Sequence, residues 1–144
     1  MTGQTVNILL VEDDSIDAKA FVRAMSKLKI GNPVAHAKDG VEGLAMLETL
    51  RRPNLVILDI NMPRMTGLEM LRKIREDAKL RDTIVFVLTT SNDEQDKFDA
   101  YNLNVAGYML KSDMGNSFVR AVSLVENFWK VVEFPESHTA LGAP

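Results

Sequence analysis

Leu55-Val56-Ile57-Leu58-Asp59-Ile60-Asn61-Met62-Pro63 is the stretch whose reading decides the fold. Four apolar residues, rich in branched side chains, run straight into one aspartate, and a turn-forming Met-Pro follows. An unbroken apolar run of this kind suits a strand covered on both faces, as in a parallel sheet. Pro63 lacks an N–H and disfavours helix at the residue before it, which ends the strand near Asp59 or Ile60. Ligands of open α/β sheets bind at the carboxyl ends of the strands. A lone aspartate there can equally begin a turn, so its weight depends on what the other strands deliver beside it.

The chain has 144 residues, of which 46% are hydrophobic and 26% charged, with a formal net charge of −3. That composition is one globular domain with a real core. A slightly acidic balance without basic runs gives no reason to expect nucleic acid or an anionic membrane surface as partner. Absence of cysteine excludes disulfides and thiolate metal sites. The N-terminus lacks a signal-peptide pattern and no apolar run approaches a transmembrane length. The expectation is a soluble cytoplasmic domain over residues 1–134 with a frayed tail over 135–144.

Outward from the Asp59 strand, strands and helices alternate. Residues 6–11 (VNILLV) form a first strand, and Asp14 or Ser15 caps a helix through about Lys29. Gly31-Asn32-Pro33 breaks it. Val34 to Ala37 is a short strand whose His36 weakens its hydrophobicity and suggests an edge. Helices follow over Val41–Leu50 and from Gly67 to about Ala78, the Asp59 strand between them. Thr83–Thr89 is a fully apolar strand. Asn92 or Asp93 caps a helix to about Leu103, Ala106–Leu110 is the last strand, and Gly115 to about Phe134 the last helix. Five strands with a helix in each interval predict an α/β, doubly wound, five-stranded parallel sheet with helices on both faces. The flavodoxin-like order 2-1-3-4-5 puts the weak second strand at the edge.

The carboxyl ends of these strands carry Glu12 and Asp13, Asp59, Thr89 and Lys111. Three converging acids repel one another unless a cation lies among them, and an all-oxygen set favours Mg²⁺. A carboxylate can serve as a covalent nucleophile toward phosphorus. Phosphoryl transfer then needs its oxygens neutralised, which an ammonium and a hydroxyl suit. Singly, each residue has a plainer explanation. The acids can be a dipole-favoured helix start, Thr89 a capping hydroxyl, Lys111 a surface lysine, and Tyr108 strand packing. One site accounts for all of them together. His36 and His138 have no partner in the sequence pattern and are not expected to be ligands.

At these residues the chain resembles the CheY-like receiver domains of two-component response regulators, over about residues 5–134. The likeness rests on residues 8–13 (ILLVED), 58–63 (LDINMP) with Thr66-Gly67, 88–90 (LTT) and 107–111 (GYMLK) in this order. It implies that Asp59 is the phosphoacceptor and that Asp13 binds Mg²⁺ with Glu12 assisting and the Asn61 backbone carbonyl as a further ligand. It also implies that Thr89 and Lys111 engage the phosphoryl group, that Tyr108 is the rotameric aromatic of the switch, and that a sensor histidine kinase is the donor.

One departure narrows the likeness. Many receivers have proline after the last-strand lysine, where this chain has Ser112. A cis bond before a non-proline residue costs roughly 2.5–4 kcal/mol, so a trans bond and another loop path into the last helix are expected. Lys111-Ser112, residues 126–130 (ENFWK) and Pro135 are similar to the single-domain regulators paired with bacterial phytochrome histidine kinases. In the last helix Phe118, Val122, Val125, Trp129 and Val132 form one apolar stripe. Leu124, Phe128, Val131 and Phe134 form what reads as a second, too much for one packed face. An unpartnered apolar stripe predicts a partner surface, here a homodimer through the fourth helix, fifth strand and fifth helix.

Two other classes fail on single residues. A haloacid-dehalogenase-type phosphatase needs a second acid two residues beyond its nucleophile, where this chain has Asn61. A flavodoxin-like carrier needs anion donors after the first strand, where Glu12, Asp13 and Asp14 repel phosphate. The remaining rival is a receiver-like interaction module that is never phosphorylated, against which the complete acidic set argues. With no DNA-binding region in the sequence, direct transcriptional output is not expected.

Overall fold

The computed structural model describes residues 5–52, 54–115 and 117–134. The expected tail, with His138, lies outside them. Five strands, β1 (Asn7–Val11), β2 (Val34–Ala37), β3 (Asn54–Leu58), β4 (Ile84–Thr89) and β5 (Gly107–Leu110), form one sheet in the order β2-β1-β3-β4-β5. All pairs are parallel, as the strand–helix alternation required. The helices are α1 (Ser15–Lys27), α2 (Gly40–Thr49), α3 (Gly67–Glu76), α4 (Glu94–Asn102) and α5 (Val119–Val131).

Strand periodicity sorts the core into two layers. Leu9, Val11, Val56, Leu58, Val85 and Val87 point to one face and pack with Leu47 of α2, Leu71 and Ile74 of α3 and Ala100 of α4. Their neighbours Ile8, Leu10, Leu55, Ile57, Phe86 and Leu88 point to the other, against Phe21 and Met25 of α1 and Val122 and Val125 of α5. Both faces of β3 are therefore dry, and all five of its residues are buried.

Helix ends follow local chemistry. Asp14 caps α1 by accepting from the Ile16 and Asp17 amides. The helix stops at Lys27, short of the expected Lys29. Lys29 takes a left-handed φ of 58°, and the Ile30 amide closes back onto the Met25 carbonyl at 2.9 Å. Thr66 and Glu69 make a reciprocal capping box on α3. The last helix corrects the expectation most. It covers Val119–Val131 rather than Gly115–Phe134, because a 3₁₀ turn over Lys111–Asp113 leads out of β5 and Gly115 has a φ of +69°.

The division of the α5 stripe is also corrected. Phe128 sets its ring edge-on to Phe86 with centroids 5.0 Å apart, and Phe134 meets Phe128 at 6.3 Å. Both are half-buried against the sheet layer. Of the four residues assigned to a partner surface, Leu124 and Val131 are the exposed ones, at 52% and 81%.

Candidate functional site

The register places the site. Val11 of β1 lies opposite Leu58 of β3, Leu58 opposite Val87 of β4, and Thr89 opposite Leu110 of β5. The residues that follow these strand ends therefore emerge side by side. The Asp59 amide still bonds the Val11 carbonyl at 3.0 Å, and the Glu12 amide the Ala37 carbonyl at 2.9 Å. The side chains are thus fixed by the last rungs of the ladder rather than by mobile loops. Gly67 holds the loop after β3 close: its amide donates to the Ile60 carbonyl at 2.8 Å, and a Cβ there would run into the Asp59 carbonyl.

Asp59 is 5% exposed and each of its oxygens has donors. Oδ1 accepts from Thr89 Oγ1 at 2.7 Å and from the Asn61 amide at 3.3 Å. Oδ2 faces Lys111 Nζ at 3.2 Å. Lys111 also meets Glu12 Oε1 at 2.7 Å and Asp17 Oδ2 at 2.8 Å. Its three N–H groups thus face three carboxylates. Carboxylate oxygens of Glu12, Asp13 and Asp59 come within 4.8 Å of one another, with Glu12 and Asp59 buried and Asp13 exposed.

Electrostatics follow from this crowding. Burial, reinforced by the neighbouring Asp59 charge and only partly offset by Lys111, pushes the Glu12 carboxyl up to about 7. For Lys111 burial acts to lower the pKa, but the bonds to Asp17 and Glu12 and the charge of Asp59 outweigh it and hold the ammonium protonated. Against the clustered carboxylates of Glu12, Asp13 and Asp59 stands the ammonium of Lys111, bonded to Glu12 and facing Asp59. An all-oxygen acidic set of this kind fits a hard divalent cation.

The residues expected to form a switch, Thr89 and Tyr108, are joined through Ser91. Thr89 is fully buried; its Oγ1 accepts from the Ser91 amide at 3.2 Å. Ser91 donates from its hydroxyl to Asp96 Oδ2 of α4 at 2.6 Å, and its carbonyl accepts from the Tyr108 hydroxyl at 2.9 Å. One residue thus links Thr89, the first turn of α4 and Tyr108.

Every residue expected at the strand ends lies at this site. Two members were missed. Asp17 stands in the first turn of α1, where an acid reads as favoured by the helix dipole, and nothing local marks its reach to Lys111. His36 donates from Nε2 to the Glu12 carbonyl at 2.7 Å and ties that loop to the edge strand. Nothing in a lone edge-strand histidine signals that bond.

A family model described as the response regulator receiver domain matches residues 8–123. Response regulator Rcp1 of Synechocystis sp. is 34% identical over 128 residues, covering 85% of this chain and 87% of its own length. The crystal structure of the Mn²⁺-bound form of Rcp1 superposes with a TM-score of 0.79, covering 90% of this chain and 98% of that one. The phosphorylated cyanobacterial phytochrome response regulator RcpA is 33% identical, with a TM-score of 0.80 over 90% of this chain and 98% of RcpA. The bacteriophytochrome response regulator AtBRR is 29% identical, with a TM-score of 0.71 over 92% of this chain and 99% of its own. With its doubly wound sheet and acidic strand-end site, the chain belongs to the receiver-domain family of response regulators, those of phytochromes among its relatives.

Proposed function

We propose that the protein accepts a phosphoryl group on Asp59 from a sensor histidine kinase, of the bacteriophytochrome class, in a Mg²⁺-dependent reaction. The observation that carries this reading is the convergence of Thr89 Oγ1 and Lys111 Nζ on the two oxygens of one buried carboxylate. Asp13, Asp59 and the Asn61 backbone carbonyl would hold Mg²⁺, with Glu12 assisting. Bound there, the ion supplies charge neutralisation for the phosphoryl oxygens.

An oxygen of Asp59 attacks phosphorus in line and forms a P–O bond. The P–N bond of the donor phosphohistidine breaks, and the imidazole leaves with the electron pair. Thr89 then turns its hydroxyl from Asp59 Oδ1 to a phosphoryl oxygen, and Lys111 donates to another. Withdrawing Thr89 toward the phosphoryl group alters its link to Ser91, and through Ser91 the settings of α4 and Tyr108. Hydrolysis reverses the state: water oxygen bonds phosphorus, the P–O bond to Asp59 breaks, and the carboxylate returns while inorganic phosphate departs. The chain's own residues promote both steps.

The output surface is the α4–β5–α5 face. Phe98, Tyr101 and Leu124 are exposed there, beside a cavity of about 490 Å³ lined in part by Tyr108, Met114 and Arg120. That supports a homodimer or a protein partner on this face; nucleic acid and membrane are not part of the reading. The reading also places the protein in the cytoplasm, and none of the described helices is long and apolar enough to cross a membrane.

The test is intact mass after incubation with acetyl phosphate, with and without Mg²⁺, beside Asp59→Asn. One phosphoryl adduct that needs both Mg²⁺ and Asp59 is expected. No adduct under any condition would make this an interaction module that works without phosphorylation. Sedimentation at several concentrations tests the dimer, which is abandoned if only monomer is found with and without phosphoryl donor.

A further inference from the structure

Asp17 has no part in the reading above, yet its carboxylate is closer to the Lys111 ammonium than Asp59's is, at 2.8 Å against 3.2 Å. It belongs to α1, so this ion pair ties the first turn of α1 to the end of β5 across 94 residues of chain. The Asp17 side chain is 29% exposed and that of Lys111 only 9%. Asp17 is thus the partner that can let go into water at least cost, whereas Glu12 and Asp59 are buried. Its role in the helix itself is modest: Asp14, not Asp17, supplies the cap.

We propose that Asp17 is a positioning residue that competes with the phosphoryl group for Lys111 and so sets how readily the site takes up an anion. The inference rests on Asp59 being the phosphoacceptor. An ammonium has three N–H groups, and the three carboxylates engage all of them. A phosphoryl oxygen arriving at Asp59 must displace one acceptor. Glu12 faces the cluster with Asp13 and Asp59, and Asp59 carries the incoming group. Asp17 is left as the acceptor to be displaced, and its release frees the start of α1 from β5. Without its charge, Lys111 is available to the anion from the outset. Coupling of this kind, between a local contact and ligand affinity, commonly amounts to about 5-fold or more.

The test uses beryllofluoride with Mg²⁺, a non-covalent stand-in for a phosphoryl group on a carboxylate, titrated into the full chain and followed by Trp129 fluorescence or calorimetry. Asp17→Asn, which keeps the shape and removes the charge, is expected to lower the half-saturating concentration about 5-fold. Asp17→Glu restores the carboxylate and should return it to within 2-fold of the unaltered protein. Asp14→Asn removes a charge from the same loop without touching Lys111 and keeps a capping side chain; it should also stay within 2-fold. An unchanged or weaker affinity in Asp17→Asn overturns the proposal, as does an equal gain in Asp14→Asn, which would reduce the effect to overall charge. If the unaltered protein binds no beryllofluoride, the phosphoacceptor reading fails first and this inference with it.

Discussion

Two partly buried cations hold opposite ends of this molecule, and their partners differ in kind. Lys111, at the carboxyl end of the sheet, is shared among the carboxylates of Glu12, Asp17 and Asp59. Arg75, at the end of α3, donates to main-chain carbonyls of the described residues, with the Asp82 charge nearby. Nε reaches Leu103 at 2.7 Å, one terminal nitrogen reaches Arg81 and Thr83 at 2.7 and 2.8 Å, and the other reaches Asn104 at 3.1 Å. A guanidinium fork fits several fixed acceptors at once, whereas an ammonium is a compact charge that changes partners easily. Carbonyls in loops beside β4 and α4 do not change their charge, so Arg75 is a permanent fastening. The acceptors of Lys111 are ionisable or replaceable, so its partnership is open to chemistry.

The largest expected effect breaks the permanent side. Arg75→Ala removes four bonds to backbone carbonyls and should destabilise the fold by about 3 kcal/mol, measured by urea unfolding. Arg75→Lys should recover little of it, since one ammonium cannot reproduce the fork. On the replaceable side, Lys111→Ala leaves three carboxylates facing one another. It should cost the metal-free protein roughly 1–2 kcal/mol, most of it regained on adding Mg²⁺. Lys111→Ala is also expected to uncouple phosphorylation from the surface change; normal switching in that variant would contradict the role given to Lys111.

A pH titration sharpens the contrast. The folded-state pKa of Glu12, near 7, lies above the ordinary 4.5, so the folded protein binds more protons than the unfolded chain between those values. Its contribution is therefore lost as pH rises from about 4.5 to 7 in metal-free protein. Glu12→Gln should flatten this slope and stabilise the metal-free form at pH 8 by on the order of 1 kcal/mol, seen as a higher Tm. A fall in Tm instead would mean that the bond to Lys111 outweighs the burial. The smallest effect concerns Asp39, whose carboxyl is held below its usual range by the Glu42 amide and by Arg64. That stabilisation is present above the unfolded pKa near 3.8 and lost as pH falls through the lower folded value. Arg64→Gln should move the acid-unfolding midpoint slightly upward.

Most of the sheet could be read directly because β3 and β4 are buried on both faces, which leaves unbroken apolar runs that a strand alone explains. The strand-end residues were equally readable, since parallel pairing brings the ends of all strands to one side. What escaped depends on distance in space without a local trace. The bond from Asp17 to Lys111 requires knowing how α1 returns over β1. The early end of α1 depends on Lys29 entering the left-handed region, which lysine does not advertise. In α5 a period of 3.6 residues separated Phe128 from the core stripe, but Phe86 of β4 offers it an edge, and aromatic rings reach beyond the face that periodicity assigns.

The parallel topology has a consequence for biosynthesis. Lys111 meets Asp59 across 52 residues and Asp17 across 94, and Thr89 meets Asp59 across 30. Contacts of such long range close late in folding. Because β5 follows the other four strands, a nascent or half-folded polypeptide holds Asp59 before Lys111 can reach it. Under the phosphoacceptor role proposed for Asp59, chemical competence coincides with completion of the sheet, and a phosphoryl donor would meet a working site only on finished molecules.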